Sequence, residues 1–468
     1  MRFRARAACA ALALGALLPA AASAQSPDAY VLPFGMFRLG VEGVHASWSS
    51  RFDADGNRVD LGSDLGGDLT PDRFTALAPL QAQLTAFLDA TQGSSGASPE
   101  PPSPSSITLG LLDVAASASH TAARGRLAVG ILPRLELGAS MSIGRGDRLV
   151  HRFELQGGNL GLNPDAEGNA ALLAAIGWEE LGALPLLPTS ESPLGMELQN
   201  RVTELAGEPM ALPEDTANTE VLAALLSEQF GFDPLASRIE RWRAGDLEMD
   251  AKALLLSTFG GAPVPADPGF DLRIALLGGA RFATGEQPDT MDLLTPEPSE
   301  GLSSWSGGAA VDLFLGSHIW VSGSLRFTRG RESEIVRRIP GENPLDPPQE
   351  PTAVSIKPGD ITELRVAPRY RLDRAISVGA EYALYEVGDT RYTGGTEERP
   401  ADVLNLAGGR LQRFGLEIRY SSLPAYWVRE AILPAEVTLA YQRTLGGPEG
   451  TPGGGRLTVT ASLLPRLW

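Results

Sequence analysis

WSGGAAVDLFLGSHIWVSGSLRF, residues 305–327, decides the fold. Taken two at a time, Val311, Leu313 and Leu315 share one face, and Ala310, Asp312 and Phe314 share the other. After Gly316, Ser317 and His318 the alternation resumes. Ile319, Val321, Leu325 and Phe327 lie opposite Ser322, Ser324, Arg326 and Thr328. Period-2 patterning on both sides of a tight turn predicts a β-hairpin. Each arm is about ten residues, the length a tilted strand needs to cross a bilayer. One face is apolar. The other is small, polar or charged, apart from Phe314 and Trp320. That is the pattern of a transmembrane barrel strand, with lipid outside and a wet lumen inside.

The same alternation recurs along the chain. Phe37, Leu39 and Val41 alternate with Arg38, Gly40 and Glu42. Leu127, Val129 and Ile131 lead through a Leu132-Pro133-Arg134 turn to Leu135, Leu137, Ala139, Met141 and Ile143. Further strands are read at residues 245–255, 272–282, 363–370, 376–385, 414–420, 437–442 and 457–463. About twelve strands result, joined alternately by short turns and long polar loops, as in bacterial outer-membrane barrels with both termini in the periplasm. The fold class expected is therefore all-β, a transmembrane antiparallel barrel spanning residues 25–468.

Two stretches break the pattern. In residues 70–91, Phe74, Leu77, Leu80, Leu84, Phe87 and Leu88 recur at helical spacing behind Pro71 and Asp72, with Pro79 expected to limit or bend the helix. Residues 155–244 form a helical insertion, with helical periodicity at 170–181, 196–205 and 219–230. It could serve as a lid, a plug or an exposed domain. The apolar face of Leu222, Leu225, Leu226 and Phe230 favours helices packed on one another or on the rim. The sequence DADGNRVD, residues 53–60, reads as a turn, and its acidic positions do not match an EF-hand.

Residues 1–24 read as a signal peptide: Arg2, Arg4 and Arg6, an apolar run, and Ala22-Ser23-Ala24 before Gln25. The single cysteine, Cys9, lies inside this leader, so the mature chain is expected to lack disulfides and thiol chemistry. Without the three leader arginines, 36 basic residues face 57 acidic ones, a net charge of −21. An acidic exported chain argues against nucleic acid as a partner. No window after the leader is long and apolar enough for a transmembrane helix.

The likeness to a known group rests on the strands. GDLEMDAKALL (245–255), IALLGGARFATGE (274–286) and LPRLELGAS (132–140) resemble strands of the twelve-stranded outer-membrane transporter family associated with the phenol-degradation meta-pathway. The resemblance implies passive uptake of small molecules and carries over no functional residue. The terminal Trp468 resembles the C-terminal signal read by the barrel-assembly machinery. Pro465 and Arg466 depart from the usual pattern, and a bulge near Pro465 would be needed to turn Trp468 outward.

The candidate functional residues are the lumenal charges. Arg273, Arg281, Arg326, Arg365, Arg369 and Arg419 share inner parity with Asp250, Asp312, Glu363, Glu381 and Glu417. They form either a cross-strand salt-bridge ladder or a charged constriction that selects solutes. His45, His120, His151 and His318 have no metal-ligand spacing, and no metal or cofactor is called for. Barrel lipases pair a serine with a histidine. The candidates here are Ser117 or Ser119 with His120, but Ser119 and His120 are adjacent on a strand and point to opposite faces. The expectation is a monomeric, non-enzymatic channel or diffusion-type transporter for a small-molecule solute, embedded in outer-membrane lipid. The alternative is a structural or partner-binding barrel whose helical insertion caps or plugs the lumen.

Overall fold

The structure is a computed structural model. It describes residues 28–63, 65–92, 107–162, 186–223, 238–239, 241–265, 269–286, 301–337, 339, 351–396 and 400–466. Twelve antiparallel strands close into a barrel. They are β1 (Phe37–Trp48), β2 (Leu111–Leu132), β3 (Leu135–Gln156), β4 (Arg243–Ser257), β5 (Phe270–Phe282), β6 (Ser304–Leu315), β7 (Ile319–Gly330), β8 (Ile361–Arg371), β9 (Ile376–Val387), β10 (Gly409–Ser421), β11 (Ala435–Gly446) and β12 (Gly455–Leu463). Each pairs with its neighbours in sequence, and β1 pairs with both β2 and β12, which closes the ring. Closure leaves the barrel no free edge.

The opening hairpin has the register its alternation predicts, Leu315 opposite Ile319 and Ser304 opposite Gly330. Its turn is closed by Gly316 at φ 73°, a conformation glycine adopts without steric cost. The outer wall exposes Leu39, Val41, Leu137, Met141, Leu276, Leu325, Leu416, Ile418, Leu439 and Val459. In water an apolar surface this continuous would drive association; in hydrocarbon it is the required surface. Trp242, Phe282, Trp305, Phe327, Phe414 and Tyr441 ring this belt towards one end, and Phe270, Tyr370 and Tyr420 towards the other. Amphipathic rings settle at such interfaces. No described helix is long and apolar enough to cross a membrane.

The β2–β3, β4–β5, β6–β7, β8–β9 and β10–β11 connections lie at one end, and it holds the tightest turns. One is the 372–375 turn, where Asp373 accepts the N–H groups of Ala375 and Ile376 at 2.7 Å each. Those two donors hold its carboxyl below the usual range. The longest connections lie at the opposite end, beside the short 447–454 link, and there they build two caps. β2 and β3 are 22 residues each and run beyond the barrel rim. Their alternation continues with alanine, serine and charged residues, which is why only the lower half of each read as a membrane strand.

On the inner face of this extension Leu112 and Val114 join Leu155, α1 (Ala78–Gln92) and α2 (Pro193–Ala206) in one apolar core. Phe74, Leu77, Leu84, Leu160, Leu198 and Leu222 are among its most buried members. The start and stop of α2 are written in its ends. The Ser192 hydroxyl accepts from Gly195 N at 3.0 Å, Pro193 fills the first turn, and Gly207 closes it in the left-handed region. Helix α1 begins at Ala78, not behind Pro71, because a 3-10 turn at Thr75–Leu77 intervenes; Pro79 sits in its first turn, where no N–H is needed. The expected helix at 170–181 lies outside the described residues, as does the end of the one at 219–230. The second cap is a three-stranded sheet, Ser333–Arg337, Thr352–Lys357 and Arg391–Gly394. Its Ile335, Val354 and Ile356 pack on Ala383 and Tyr385 at the inner face of β9. Both caps rest on lumen-facing residues and so lean over the mouth.

Candidate functional site

All eleven expected lumenal charges lie on the inner wall. Most meet an opposite charge there. Arg273 reaches Asp312 at 3.4 Å, Arg281 reaches Glu248 at 2.9 Å, and Asp250 takes Arg126 at 2.9 Å. Arg365 bonds Glu363 and Arg369 bonds Glu417. Arg419 reaches Glu436 at 2.6 Å. Arg326 is buried directly opposite Glu363 in the β7–β8 register. Glu381 accepts from Gln442 at 2.8 Å. Several links cross strands, as a ladder requires.

The decisive feature is one that sequence reasoning missed. Residues 28–36, preceding β1, run up into the lumen at the short-turn end. Their apolar side chains pack against its wall. Ala29 and Val31 pack on Leu254, Ala275, Leu277 and Ala310. Tyr30, Leu32 and Met36 pack on Ala128, Leu423 and Leu464. Their main chain is held by buried lumenal charges. Asp312 accepts the Ala29 N–H at 3.1 Å, as well as the Ser322 hydroxyl at 2.7 Å. Glu136, fully buried, accepts the Leu32 N–H at 3.0 Å. Lys252, 1% exposed, donates to the Asp28 carbonyl at 2.9 Å and lies 3.3 Å from its carboxylate. Hydrogen bonds to charged groups contribute about 1.5–3 kcal/mol each, and three of them from three strands fix the segment's register. Gly130 lets it approach: a Cβ there would stand 2.1 Å from the Pro33 oxygen. The segment precedes the first alternating run, and a short apolar stretch with one acid has no periodicity to mark it. Lys252 and Glu136 could have been flagged, since a lysine and a glutamate facing a lumen of arginines need partners.

Two chambers flank the segment. The larger, about 1290 Å³, is walled mainly by β1, β2 and β8 to β12. The smaller, about 640 Å³, opens among the short turns near Val264, Trp320, Arg371 and Pro424. Asp28, Arg419 and Glu436 line both, so the segment's first described residue stands at the boundary.

The histidines do not converge. His120 is buried on the inner face. Ser117 meets His151 instead, at 2.7 Å, on the outer face of the β2–β3 extension, where His151 occupies a bulge. Ser119 does not pair with its neighbour, as the strand geometry requires. His45 is hydrogen-bonded to Thr121 at 3.0 Å. His318 is exposed in its turn beside Ser317.

No family profile and no curated protein sequence matches the chain. Among solved structures it is similar to an outer-membrane channel from Pseudomonas putida F1, at 11% identity over 95% of this chain and 100% of that one, with a TM-score of 0.45. The translocator domain of the autotransporter NalP from Neisseria meningitidis gives 7% identity over 97% and 93% of the two chains, with a TM-score of 0.31. The P. putida toluene transporter TodX gives 10% over 92% and 90%, with a TM-score of 0.26.

Proposed function

We propose that this chain is an outer-membrane channel or diffusion-type transporter for small solutes, closed at its periplasmic end by residues 28–36. The observation that carries the reading is the pair of chambers on either side of that segment, the larger of them polar and both edged by charged side chains. A barrel with a purely structural role could fill its interior with packed side chains; this one keeps charged, water-sized space and blocks it with a short strap of main chain. In this reading the short turns face the periplasm, the caps face outward, and a leader ending near Ala24 exports the chain. The C-terminal stretch of sequence ending at Trp468 is then the segment offered to the barrel-assembly machinery.

The test is single-channel conductance in a planar bilayer. The mature chain is expected to give small conductance. A variant lacking residues 28–33 is expected to give several-fold larger, stable openings. A correctly folded but silent deletion variant overturns the reading. The partner-binding alternative is favoured by one feature, the extensive buried core of the helical cap. Removing residues 163–223 would then abolish binding of a partner and leave conductance unchanged.

A further inference from the structure

We infer that the connection between β10 and β11, residues 422–434, is a membrane-interface anchor whose apolar side chains enter the phospholipid leaflet at the short-turn end of the barrel. Naming that leaflet periplasmic rests on the orientation proposed above; the contact itself does not. The connection, SLPAYWVREAILP, opens with a short helix, α3 (Leu423–Trp427). Ile432 is 100% exposed, and Trp427, Val428 and Leu433 are exposed beside it in sequence. A cluster of large apolar side chains this open is a contact surface in search of an apolar partner. The loop is held in place all the same. Leu423 is buried with Tyr30, Leu32 and Met36. The Ser422 hydroxyl donates to the Leu433 carbonyl at 2.6 Å and accepts the Ala435 N–H at 2.9 Å. Glu430 takes Arg374 of the neighbouring turn at 2.9 Å. Arg429, between them, is the one non-glycine residue among those described with a left-handed backbone, at φ 63°. A side chain adopts that conformation at a cost, which the surrounding contacts must hold.

The neighbours of the patch say what covers it. Tyr420 and Val437 face each other across β10 and β11 and are exposed on the outer wall where the connection begins and ends. Ile376 flanks Tyr420 on β9, and the exposed Leu372 stands in the turn that Glu430 reaches. Leu433 shares the parity of Val437 and Leu439. The patch therefore continues the lipid-facing belt beyond the aromatic ring. Lipid already touches Tyr420 and Val437, so the leaflet reaches the patch before any protein can. The local charges balance, with Arg374 and Arg429 against Asp373 and Glu430. Glu430 is paired, and Asp373 is engaged by two main-chain N–H groups. Attraction to anionic headgroups is a minor contribution, and burial of apolar surface drives the contact. Trp427 and Arg429 suit the boundary itself, one as an amphipathic ring and the other as an apolar stem with a charged tip.

The test is depth-dependent fluorescence quenching. The chain from Gln25 onward contains no cysteine, so single introduced thiols report without interference. Ile432→Cys and Val428→Cys, each carrying an environment-sensitive fluorophore, are reconstituted in phosphatidylcholine vesicles doped with nitroxide-bearing lipid. Leu439→Cys on the belt and Ser317→Cys in another turn at the same end serve as references. A nitroxide near the headgroup is expected to quench the Ile432→Cys and Val428→Cys probes at least twofold more than the Ser317→Cys probe. A nitroxide deep in the acyl region should quench the Leu439→Cys probe most, and added NaCl should leave the pattern unchanged. Both leaflets carry the quencher, so the direction of insertion does not matter. Conductance plays no part, so a silent channel would count against the channel reading and leave this readout intact. Aqueous iodide quenching the Ile432→Cys probe as strongly as the Ser317→Cys probe, with no lipid quenching, would overturn the anchor. So would efficient cross-linking of the unlabelled Ile432→Cys protein to a second copy in the same vesicles, which would make the patch a protein interface.

Discussion

Lys252 on β4 and Asp28 in the N-terminal segment meet across 224 residues of sequence, the ammonium donating to the Asp28 carbonyl at 2.9 Å. Both are buried, and Lys252 is the only lysine among the buried lumenal charges. A compact ammonium with three donors can serve a carbonyl and a carboxylate at once, which a planar guanidinium does less readily. Lys252→Met is expected to weaken the docking of the segment. Breaking a buried pair by removing one partner costs about 3–5 kcal/mol, and the lower end applies here because Arg419 remains 3.9 Å from the Asp28 carboxylate. Single-channel recordings should show larger or more frequent openings, and the amides of Ala29 and Leu32 should exchange faster. Unchanged exchange would show that Lys252 is not the anchor.

Gly130 offers a test that leaves every charge in place. Its missing side chain is occupied by the Leu32 and Pro33 carbonyls, 2.5 and 2.1 Å from where a Cβ would stand. Backbone cannot swing away as the end of a side chain can. Gly130→Val should therefore displace residues 30–34 while sparing the barrel wall, since valine is favoured in strands. Conductance is expected to rise towards that of the deletion variant, with β-sheet circular dichroism and heat-modifiable mobility unchanged. Wild-type conductance in this variant would mean that the segment does not limit flow.

The barrel was legible in the sequence because lipid and lumen impose opposite chemistry on alternate residues. Arg326 and Leu325, or Glu417 and Leu416, announce their faces without any structure. The upper halves of β2 and β3 were not legible, because Val114, Ala116 and Ala118 alternate with Asp113, Ala115 and Ser117 too weakly to distinguish a strand beyond the membrane from a loop. The N-terminal segment was not legible for a different reason. Residues 28–36 have no fold of their own. Their conformation is set by Glu136, Lys252 and Asp312, each of which looked like an ordinary inward charge.

The helical cap should be separable from the barrel in stability. Leu84 is 1% exposed and packs in the core that joins α1 to the β2–β3 extension. Leu84→Ala is expected to cost about 2–5 kcal/mol through lost burial and the cavity left behind. That cost falls on the cap, because the barrel's main-chain ladder is independent of it. Limited proteolysis on intact cells should cut the cap of the variant more readily than that of the wild type. If the barrel itself loses its resistance to unfolding in detergent, the two units are energetically coupled.

Leu416 and Glu417 are neighbours on β10, and membrane insertion should tell them apart. Leu416 is 59% exposed on the outer wall, between Phe414 and Tyr420 of the two aromatic rings. Glu417 points inward to Arg369. An arginine facing lipid near the bilayer midplane costs about 2–4 kcal/mol. Leu416→Arg should lower the unfolding free energy by that amount in lipid vesicles. Thr438→Arg, on the inner wall of the adjacent β11 and lining the larger chamber, should cost far less and alter conductance instead. The inside–outside assignment predicts that contrast, and equal destabilisation by both substitutions would mean that the outer face of β10 does not contact lipid.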